Sequence, residues 1–492
     1  MPTLLRRIFS RKTAIRLALT VACLIVLIFA LRAYENRRGA QAWAAYRTDA
    51  EQRGVRLWLS DFVPPPVPDS ENFAAIPIIQ EIFAAAEERR EFHSVLALPP
   101  RTQGGWPPLA EPLKSRRIDL VQWRETLTQT TPLSANGEDS AREVLAALAD
   151  YEPALQQLRD AARRPRSRFP VKWEEGIAAM LPHFGTLRDA SRIFALRMAA
   201  HLALGDSAAA YADWRDGLAL YRALDHEPLL ICGLTRIAIL VQMENALWDG
   251  LAGRQWAETE LHAIESDLAS LNLLDDCKFA LASERGENNS RLDEIARYST
   301  RQFVEFFAPG CLHGSHAGPR DYVAAVLVPR GWFRQGQVRS NERYDRHLAR
   351  IDSASGGVAP SSKTDDAGEM LRPNGPFGSL PYMFATVVMP GLIWVENNYA
   401  ATHTTTQQTR TACALELFRR ARGAFPKRLA ELVPEFLDAI PRDVMDGAPL
   451  RYRRTTDGKF ELWSIGANRK DDNVKSDPAK SLRDQPDWVW RP

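Results

Sequence analysis

LALTVACLIVLIFAL, residues 17–31, contains no charged side chain and one polar side chain, Thr20. A helix needs about 20 residues to cross the hydrocarbon of a bilayer, and residues 13–34 supply that length. Arg16 and Arg32 then lie near the two ends of the segment, where long cationic side chains can reach the headgroups. The stretch therefore predicts a transmembrane helix over residues 13–34, and the rest of the chain is organised around it.

The basic residues around this segment predict its orientation. Five of them lie on the N-terminal side and three on the C-terminal side, namely Arg6, Arg7, Arg11, Lys12 and Arg16, and then Arg32, Arg37 and Arg38. Because positively charged flanks remain on the cytoplasmic side of a membrane, residues 1–12 are expected to form a cytoplasmic tail. The bulk of the chain would then lie outside the cytoplasm, held by a single span in the inner membrane of a bacterium.

A cleaved signal peptide is the alternative, since it has the same basic start and apolar middle. Its cleavage site would be poor, because Leu31 and Arg32 precede Ala33. The clean small-x-small triplet, residues 40–42, follows two charged residues at 37–38. We therefore expect the helix to be retained, whereas a mature chain that starts near residue 40 would indicate a signal peptide.

Composition and charge limit the class of protein. The 492 residues are 45% hydrophobic and 25% charged, which is ordinary for globular proteins and excludes disorder throughout. The net charge is +2, but residues 1–38 hold eight basic residues and one acidic residue, which leaves −5 for the remainder. Such a remainder lacks the basic surface of a nucleic-acid-binding protein, so no nucleic-acid partner is expected.

The cysteines allow two interpretations. Cys23 lies in the predicted span, and Cys232, Cys277, Cys311 and Cys413 are scattered with no CxxC pair. Outside the cytoplasm these four could form two disulfides, and their spacing leaves all three pairings open. Free buried thiols are the other interpretation.

One loop gathers side chains that bind metals. GCLHGSHAG, residues 310–318, places Cys311, His313 and His316 close together, so they are candidate ligands for a zinc or copper ion. The spacing matches no structural zinc motif, and a further ligand would have to come from elsewhere. Ordinary loop histidines are therefore the alternative.

Residues 35–68 are predicted to connect the membrane helix to the folded part. Residues 38–54 have helical composition and end at a glycine. FVPPPVP, residues 62–68, favours polyproline II structure, because consecutive prolines fix φ and remove hydrogen-bond donors. This segment is interpreted as a stiff connector, with a docking peptide as the alternative.

Residues 69–306 are predicted to form a helical domain, since apolar residues recur at helical spacing along most of it. The expected helices are residues 74–88, 141–164, 187–204, 207–224, 229–251, 258–271 and 275–298. Residues 307–379 are interpreted as an irregular or linker region, in which 353–378 are rich in Ser, Gly, Pro and Asp.

Residues 380–424 are predicted to contain an apolar segment and a long helix. LPYMFATVVMPGLIWV, residues 380–395, is short for a span and is interrupted by Pro381 and by Pro390. A buried helix pair or a segment that grazes the membrane is therefore expected there, and a polar helix is expected over residues 396–421. A second crossing would return the C-terminus to the cytoplasm.

One helical pair has a family resemblance. LALGD, residues 202–206, is followed by Tyr211, Trp214 and Leu218, and this arrangement resembles a single tetratricopeptide-type hairpin. Gly205 and Asp206 are expected to end one helix and cap the next. No second copy occurs at the period of about 34 residues that a repeat array needs. An irregular set of antiparallel helical hairpins is therefore predicted.

The C-terminal module, residues 425–492, is identified through motifs that resemble, in order, the globular half of bacterial type II secretion pseudopilins. They are ALELFRRARGAFP (414–426), LAELVPEFL (429–437), IPRD (440–443), DGAPLRY (446–452) and WSIGAN (463–468). The resemblance implies a small α+β module, and the turn residues 455–458 predict a β-hairpin between 450–453 and 459–464. The family's Gly-Phe-Thr-Leu-x-Glu start is not found, so a filament subunit is not expected.

The same resemblance implies a calcium site, since an acidic loop after the last strands can bind calcium in this family. The corresponding candidate ligands are Asp471, Asp472, Asn473 and Asp477. Lys470 and Lys475 oppose a divalent cation, so a solvated loop is the alternative.

Taken together, the chain resembles single-pass bacterial envelope proteins and is predicted to be mainly α. The expected function is a membrane-anchored scaffold that binds other envelope proteins, with no catalytic residue and no cofactor assigned. The alternative is an extracytoplasmic hydrolase that uses paired carboxylates, either Glu174 with Glu175 or Glu284 with Glu287. Buried, convergent carboxylates in a cleft would favour the hydrolase.

Overall fold

The computed structural model describes residues 11–88, 94–99, 118–128, 137–307, 318–360, 391–474 and 485–492. The helices are α1 (Arg11–Gln52), α2 (Pro77–Glu87), α3 (Leu120–Thr128), α4 (Gly137–Leu148), α5 (Glu152–Ala161), α6 (His183–Ala203), α7 (Ser207–Ala223), α8 (Leu230–Ala252), α9 (Glu258–Ala269), α10 (Leu273–Arg297), α11 (Thr300–Phe307), α12 (Pro319–Leu327), α13 (Gly331–Arg350) and α14 (Leu392–Arg422). The strands are β1 (Ile351–Asp352), β2 (Gly357–Val358), β3 (Arg451–Arg454), β4 (Phe460–Ser464) and β5 (Trp488–Trp490). The mainly α class with small antiparallel sheets is therefore confirmed.

The described chain divides into two compact units. Unit 1 contains residues 11–61 and 285–346 together with Gly391, and unit 2 contains residues 62–284, 347–360 and the described residues from 392 onward. The boundaries between the two sets of residues fall at 284/285, within the sequence of α10, and at 346/347, within that of α13.

In unit 1, α1 is one uninterrupted helix of 42 residues. Its apolar first half is exposed, and it is a candidate membrane span. A stripe of partly or fully covered residues, three or four apart, then runs down the helix: Ile28, Arg32, Glu35, Gly39, Trp43, Tyr46 and Ala50. One helix therefore supplies an exposed apolar segment and, without a break, a face that packs into unit 1.

Helices α1 and α13 approach closely at a pair of glycines. A Cβ atom on Gly39 would lie 2.7 Å from Gly331 Cα, and one on Gly331 would lie 2.6 Å from Asn36 Cα. The Gly331 N–H also donates to Asn36 Oδ1 at 2.8 Å. Any larger side chain at either glycine would force the two helices apart.

Glu35 lies in this contact with its side chain fully buried. Its carboxylate accepts hydrogen bonds from Trp332 Nε1 at 3.2 Å, from Gln335 Nε2 at 2.9 Å and from Arg38 at 3.0 Å. Arg38 in turn donates to Gln335 Oε1 at 3.1 Å. Since a buried charge needs a partner and satisfied hydrogen bonds, this arrangement fixes α1 to α13.

Helices α11 and α12 pack against each other in unit 1. Their buried residues join α10 and α13 in one apolar cluster, which contains Leu292, Ile295, Phe303, Val304, Ala325 and Phe333. Helix α12 also packs against α1.

Unit 2 is built on the helical hairpin of α6 and α7, which packs on α8. Gly205 has a φ of +77°, and Asp206 accepts a hydrogen bond from Ala209 N at 2.9 Å, so the expected stop and N-cap are confirmed. Trp214 is fully buried, and its indole N–H donates to Asp267 Oδ2 at 3.0 Å. Packing and a satisfied polar tip both hold this aromatic residue.

Helices α8 and α14 form the interior of unit 2. Helix α8 is also apolar enough to be a candidate span, but 78% of its apolar window is buried in the fold. Helix α14 is buried although it is rich in polar residues, which include Thr402, Thr406 and Gln408. The Thr406 hydroxyl donates to Glu244 at 2.6 Å, and Gln408 Nε2 donates to the Trp488 carbonyl oxygen at 2.8 Å.

The C-terminal sheet has the order β3-β4-β5, with both pairs antiparallel and Tyr452 opposite Leu462. The fully buried carboxylate of Asp443 links the start of β3 to the end of β4. This carboxylate accepts from Ser464 Oγ at 2.7 Å, from Ile465 N at 3.0 Å and from Arg451 at 2.8 Å. Strand β5 was not anticipated from the sequence.

Several elements differ from their expected bounds. The helix expected over residues 141–164 is interrupted by a 3₁₀ turn, Ala149–Tyr151. Within the region interpreted as irregular, the structure has α12 and α13, and β1 and β2 form a small hairpin at 351–358. Residues 361–390, which include most of the apolar segment, lie outside the described residues.

Candidate functional site

A groove of about 970 Å³ in unit 2 is the leading candidate for a binding site. Its walls are the proline-rich segment 64–67, the turn that follows α5, and one face of α7. Phe73, Arg159 of α5, Asp225, His226 and Asp267 complete the lining. Its volume is in the range of about 300–1,000 Å³ that is typical of ligand-binding clefts.

Hydrogen bonds hold the proline-rich segment in place as a wall of the groove. Arg168 Nε donates to the Pro64 carbonyl oxygen at 2.7 Å. Asn72 donates to the Arg168 carbonyl oxygen at 3.0 Å and accepts from its N–H at 2.8 Å. Phe62 is buried and meets Phe279 edge to face at 5.9 Å. The prolines are therefore part of unit 2.

The groove carries an excess of positive charge. Six arginines and three aspartates line it, namely Arg159, Arg163, Arg164, Arg166, Arg215 and Arg222, and Asp216, Asp225 and Asp267. Burial raises the pKa of Asp216 and of Asp225, and the arginines beside them oppose that effect. The charged side chains of the lining therefore leave a formal excess of three positive charges.

The arginines fall into fixed and exposed groups. Arg159 Nε donates to Asp216 at 2.6 Å, and Arg164 donates to the carbonyl oxygens of Asn72 and Ala75 at 2.8 Å. Arg215 and Arg163 are exposed, the latter by 80% of its side chain. A rigid basic wall with exposed guanidinium groups is suited to carboxylate or phosphate groups, which guanidinium can bind in a bidentate manner.

The candidate calcium loop has its side-chain oxygens engaged by protein donors. Asp471 accepts from Trp463 Nε1 at 3.2 Å and pairs with Arg451 at 3.3 Å. Asp472 accepts from Asn468 at 2.7 Å, and Asn473 Oδ1 accepts from Arg453 at 3.0 Å. Asp477 lies outside the described residues. A calcium ion here would have to displace Arg451 and Arg453 from these oxygens. The calcium site stays a prediction.

The second metal prediction falls where the structure gives no description, since Cys311, His313 and His316 are all outside the described residues. Across the described ranges, no group of three or more His, Cys, Asp or Glu side chains is arranged to hold a metal ion. Cys232, Cys277 and Cys413 are buried free thiols, and Cys23 is an exposed one.

The carboxylates of the hydrolase alternative take structural roles or are exposed. Glu284 accepts the N–H of Leu230 at 3.0 Å, at the first turn of α8. Glu287 is buried and pairs with Arg291 at 2.8 Å. Glu174 and Glu175 are exposed on a 3₁₀ turn.

Three further carboxyls in unit 2, those of Asp213, Glu244 and Glu227, are buried and carry raised pKa values, and the pKa of Asp213 is raised to about 7 by burial. Burial raises the pKa of Glu244 to about 8, and the Thr406 hydroxyl partly offsets it. Burial likewise raises the pKa of Glu227 to about 8, against the effect of its hydrogen bond from Phe169 N. Both glutamates are embedded in the core, where a protonated carboxyl is the form that burial favours.

The groove was not found from the sequence, although one signal was available. Residues 159–168 read RDAARRPRSR, a run with five arginines. Four arginines of this run line the groove, namely Arg159, Arg163, Arg164 and Arg166. A basic run of this kind is a surface-patch signal, whereas the opposing wall on α7 is brought in only by the fold.

Comparisons of the chain with protein-family models, with curated proteins and with solved structures each found no match. The function is therefore argued from the geometry of the groove and of α1.

Proposed function

We propose that the protein is a membrane-tethered interaction protein of the bacterial envelope, anchored by α1, whose arginine-lined groove binds an acidic segment of another envelope protein. The proposal places residues 13–34 in the inner membrane with the N-terminus in the cytoplasm. The C-terminal module's resemblance to pseudopilins fits such a setting and remains a prediction.

The observation that carries the tether is the continuity of α1. Its apolar half is exposed, while Glu35, Gly39 and Trp43 of the same helix are buried in unit 1. Cleavage after Ala42 would remove Glu35 and Gly39 from their contacts with α13, and would leave the Trp332 and Gln335 donors without their acceptor. Such a loss is costly inside a protein, which favours retention of the helix.

The charge of the groove supports the second half of the proposal. Arginine is preferred at surfaces that bind carboxylates, because its planar guanidinium makes paired hydrogen bonds and stays charged at all physiological pH values. The proline-rich wall adds a rigid apolar surface beside these charges. An extended acidic peptide meets both features.

Charge reversal in the groove tests the binding proposal. A fluorescent polyglutamate peptide is titrated into the full chain in a mild detergent at low salt. We expect Arg215→Glu to weaken binding at least about tenfold, equivalent to about 1.4 kcal/mol, because it removes an exposed cation and adds a repulsive charge. Binding to the unchanged protein should weaken as salt increases, since exposed charges are screened.

Arg142→Glu is the matched control, because Arg142 is an exposed arginine of unit 2 that does not line the groove. Its affinity should stay close to that of the unchanged protein. Equal affinity in the two variants would refute the groove as the binding site. A photo-crosslinker at Ala212, an exposed lining residue, should then capture an envelope protein from native membranes, and the same group at Arg142 should not.

A further inference from the structure

Four large apolar side chains are exposed on two adjacent helices of unit 1. Phe306 lies on α11, and Tyr322, Val323 and Leu327 lie on α12, each between 40% and 59% exposed. The opposite faces of both helices are already buried, through Phe303, Val304 and Ala325 in the apolar cluster. The exposed faces therefore carry these four apolar side chains among charged ones, Arg301 and Glu305 on α11 and Arg320 on α12, and folding within unit 1 does not explain the apolar ones. Isolated exposed apolar residues are common in proteins, but a group on neighbouring helices marks an interaction surface.

The position of these helices along α1 indicates what covers them. Within residues 13–34, only Ile28 and Arg32 are partly covered, and both are near the C-terminal end of the apolar segment. Helix α12 packs against α1. The elements packed on α1 therefore reach the level at which the apolar segment ends.

Arg330 provides a second link to the same level. Its guanidinium lies over the ring of Phe303 on α11, with 3.7 Å between the charge centre and the ring centroid. Burial lowers the pKa of Arg330 to about 10, and the positive charge of Arg32 contributes to the shift. Arg32, at the end of the apolar segment, and α11 are thus both neighbours of Arg330.

We propose that the outer faces of α11 and α12 lie in the headgroup region of the bilayer that α1 spans, as a second, interfacial contact of unit 1 with lipid. This inference rests on the proposed tether. Tyrosine side chains such as Tyr34 and Tyr322, which have an apolar ring and a polar hydroxyl, are typical of that region of a membrane. This lipid contact adjoins the lipid-facing segment of α1, and it restricts the orientation of unit 1 relative to the membrane.

Depth-dependent quenching in liposomes tests the inference. The full chain, with Cys23 and Cys311 replaced by serine, receives one cysteine labelled with an environment-sensitive fluorophore at position 323 or 306. The variants are Val323→Cys and Phe306→Cys, and each is reconstituted with lipids that carry a spin label near the headgroup or deep in the acyl chain. We expect the shallow spin label to quench both positions at least twofold more than it quenches a Thr48→Cys control.

The control positions separate the two proposals. Thr48 is an exposed residue of α1, about 21 Å beyond Tyr34 at the rise of an α-helix, and its label should remain in water. Leu24→Cys lies within the apolar segment, and the deep spin label should quench it. If Leu24 is not quenched, the tether itself fails.

If Leu24 is quenched while positions 306 and 323 behave like Thr48, the interfacial contact is refuted and the tether survives. Labels at 306 and 323 that are shielded from aqueous iodide but not quenched by either lipid probe would also overturn the inference, because a protein would then cover this face. Near-ultraviolet circular dichroism of each labelled variant checks that the fold is retained.

Discussion

Replacement of Glu35 by alanine is expected to destabilise unit 1 by roughly 2–4 kcal/mol, because it removes a fully buried carboxylate that accepts hydrogen bonds from three side chains. The variant leaves the Trp332 indole N–H, the Gln335 amide and the Arg38 guanidinium without the carboxylate that accepts their hydrogen bonds. Unfolding of the full chain in a mild detergent, followed by tryptophan fluorescence against urea, measures the loss. Glu35→Gln keeps the side-chain length, but it removes the charge and turns one acceptor oxygen into an NH2 donor; since one oxygen still accepts, a smaller loss of about 1–3 kcal/mol is expected.

Glu51→Ala is the matched control for this substitution. Glu51 lies on the same helix and pairs with Arg47 at 3.5 Å, but both side chains are about half exposed. An exposed pair of this kind contributes at most about 0.5 kcal/mol. If Glu35→Ala and Glu51→Ala unfold at the same urea concentration, Glu35 does not hold α1 to α13.

The second large effect is a loss of stability in unit 2 as the pH rises from 5 to 8. Glu244 has an ordinary pKa of 4.5 and a folded pKa of about 8, so the folded chain keeps a proton that the unfolded chain releases between these values. Its contribution is complete below pH 4.5 and is lost as the pH rises to about 8. The loss from Glu244 between pH 5 and pH 8 is on the order of 4 kcal/mol, at about 1.4 kcal/mol for each pH unit.

Glu244→Gln removes this dependence, because an amide of the same shape does not ionise. Urea unfolding at pH 5 and pH 8 should show a smaller drop for the variant than for the unchanged protein, whatever constant cost the amide adds at both pH values. Glu258→Gln, at an exposed position at the start of α9, should leave the drop as it is. A drop of the same size in Glu244→Gln would contradict the assignment. The raised pKa of Glu227 also lowers stability as the pH rises, so part of the drop remains in Glu244→Gln.

The elements that the sequence predicted well are those with strong apolar periodicity or a local stop signal. Helices α7, α8 and α9 lie within about two residues of their expected bounds, since each has a buried apolar stripe. The boundary at Gly205 was clear because a left-handed residue followed by an N-cap residue ends one helix and starts another.

The sequence did not predict α13, because the buried face of this helix consists of polar residues. Gln335, Gln337 and Asn341 are all buried in unit 1, and Asn341 Nδ2 donates to Asn289 Oδ1 at 2.6 Å. Apolar periodicity does not detect a buried face made of polar residues. The hydrogen bonds that make its burial favourable come from α1 and α10, which are distant in the sequence.

The candidate groove could be predicted only in part, for a related reason. The arginine run after α5 is visible in the sequence, but Arg215 and Arg222 reach the same groove through the packing of α7. The proline-rich wall could not be placed either, because the hydrogen bond between Arg168 and Pro64 joins residues far apart in the chain. The raised pKa of Glu244 depends likewise on burial that no local pattern reveals.

The account depends most on α1 being a retained tether, and one measurement tests this directly. Membranes from cells that express the full chain are washed with alkaline carbonate, and the intact mass of the protein in the pellet is determined. We predict that the protein stays in the pellet and that its mass includes residues 11–52. A protein released by carbonate, with a mature N-terminus near residue 43, would contradict the account.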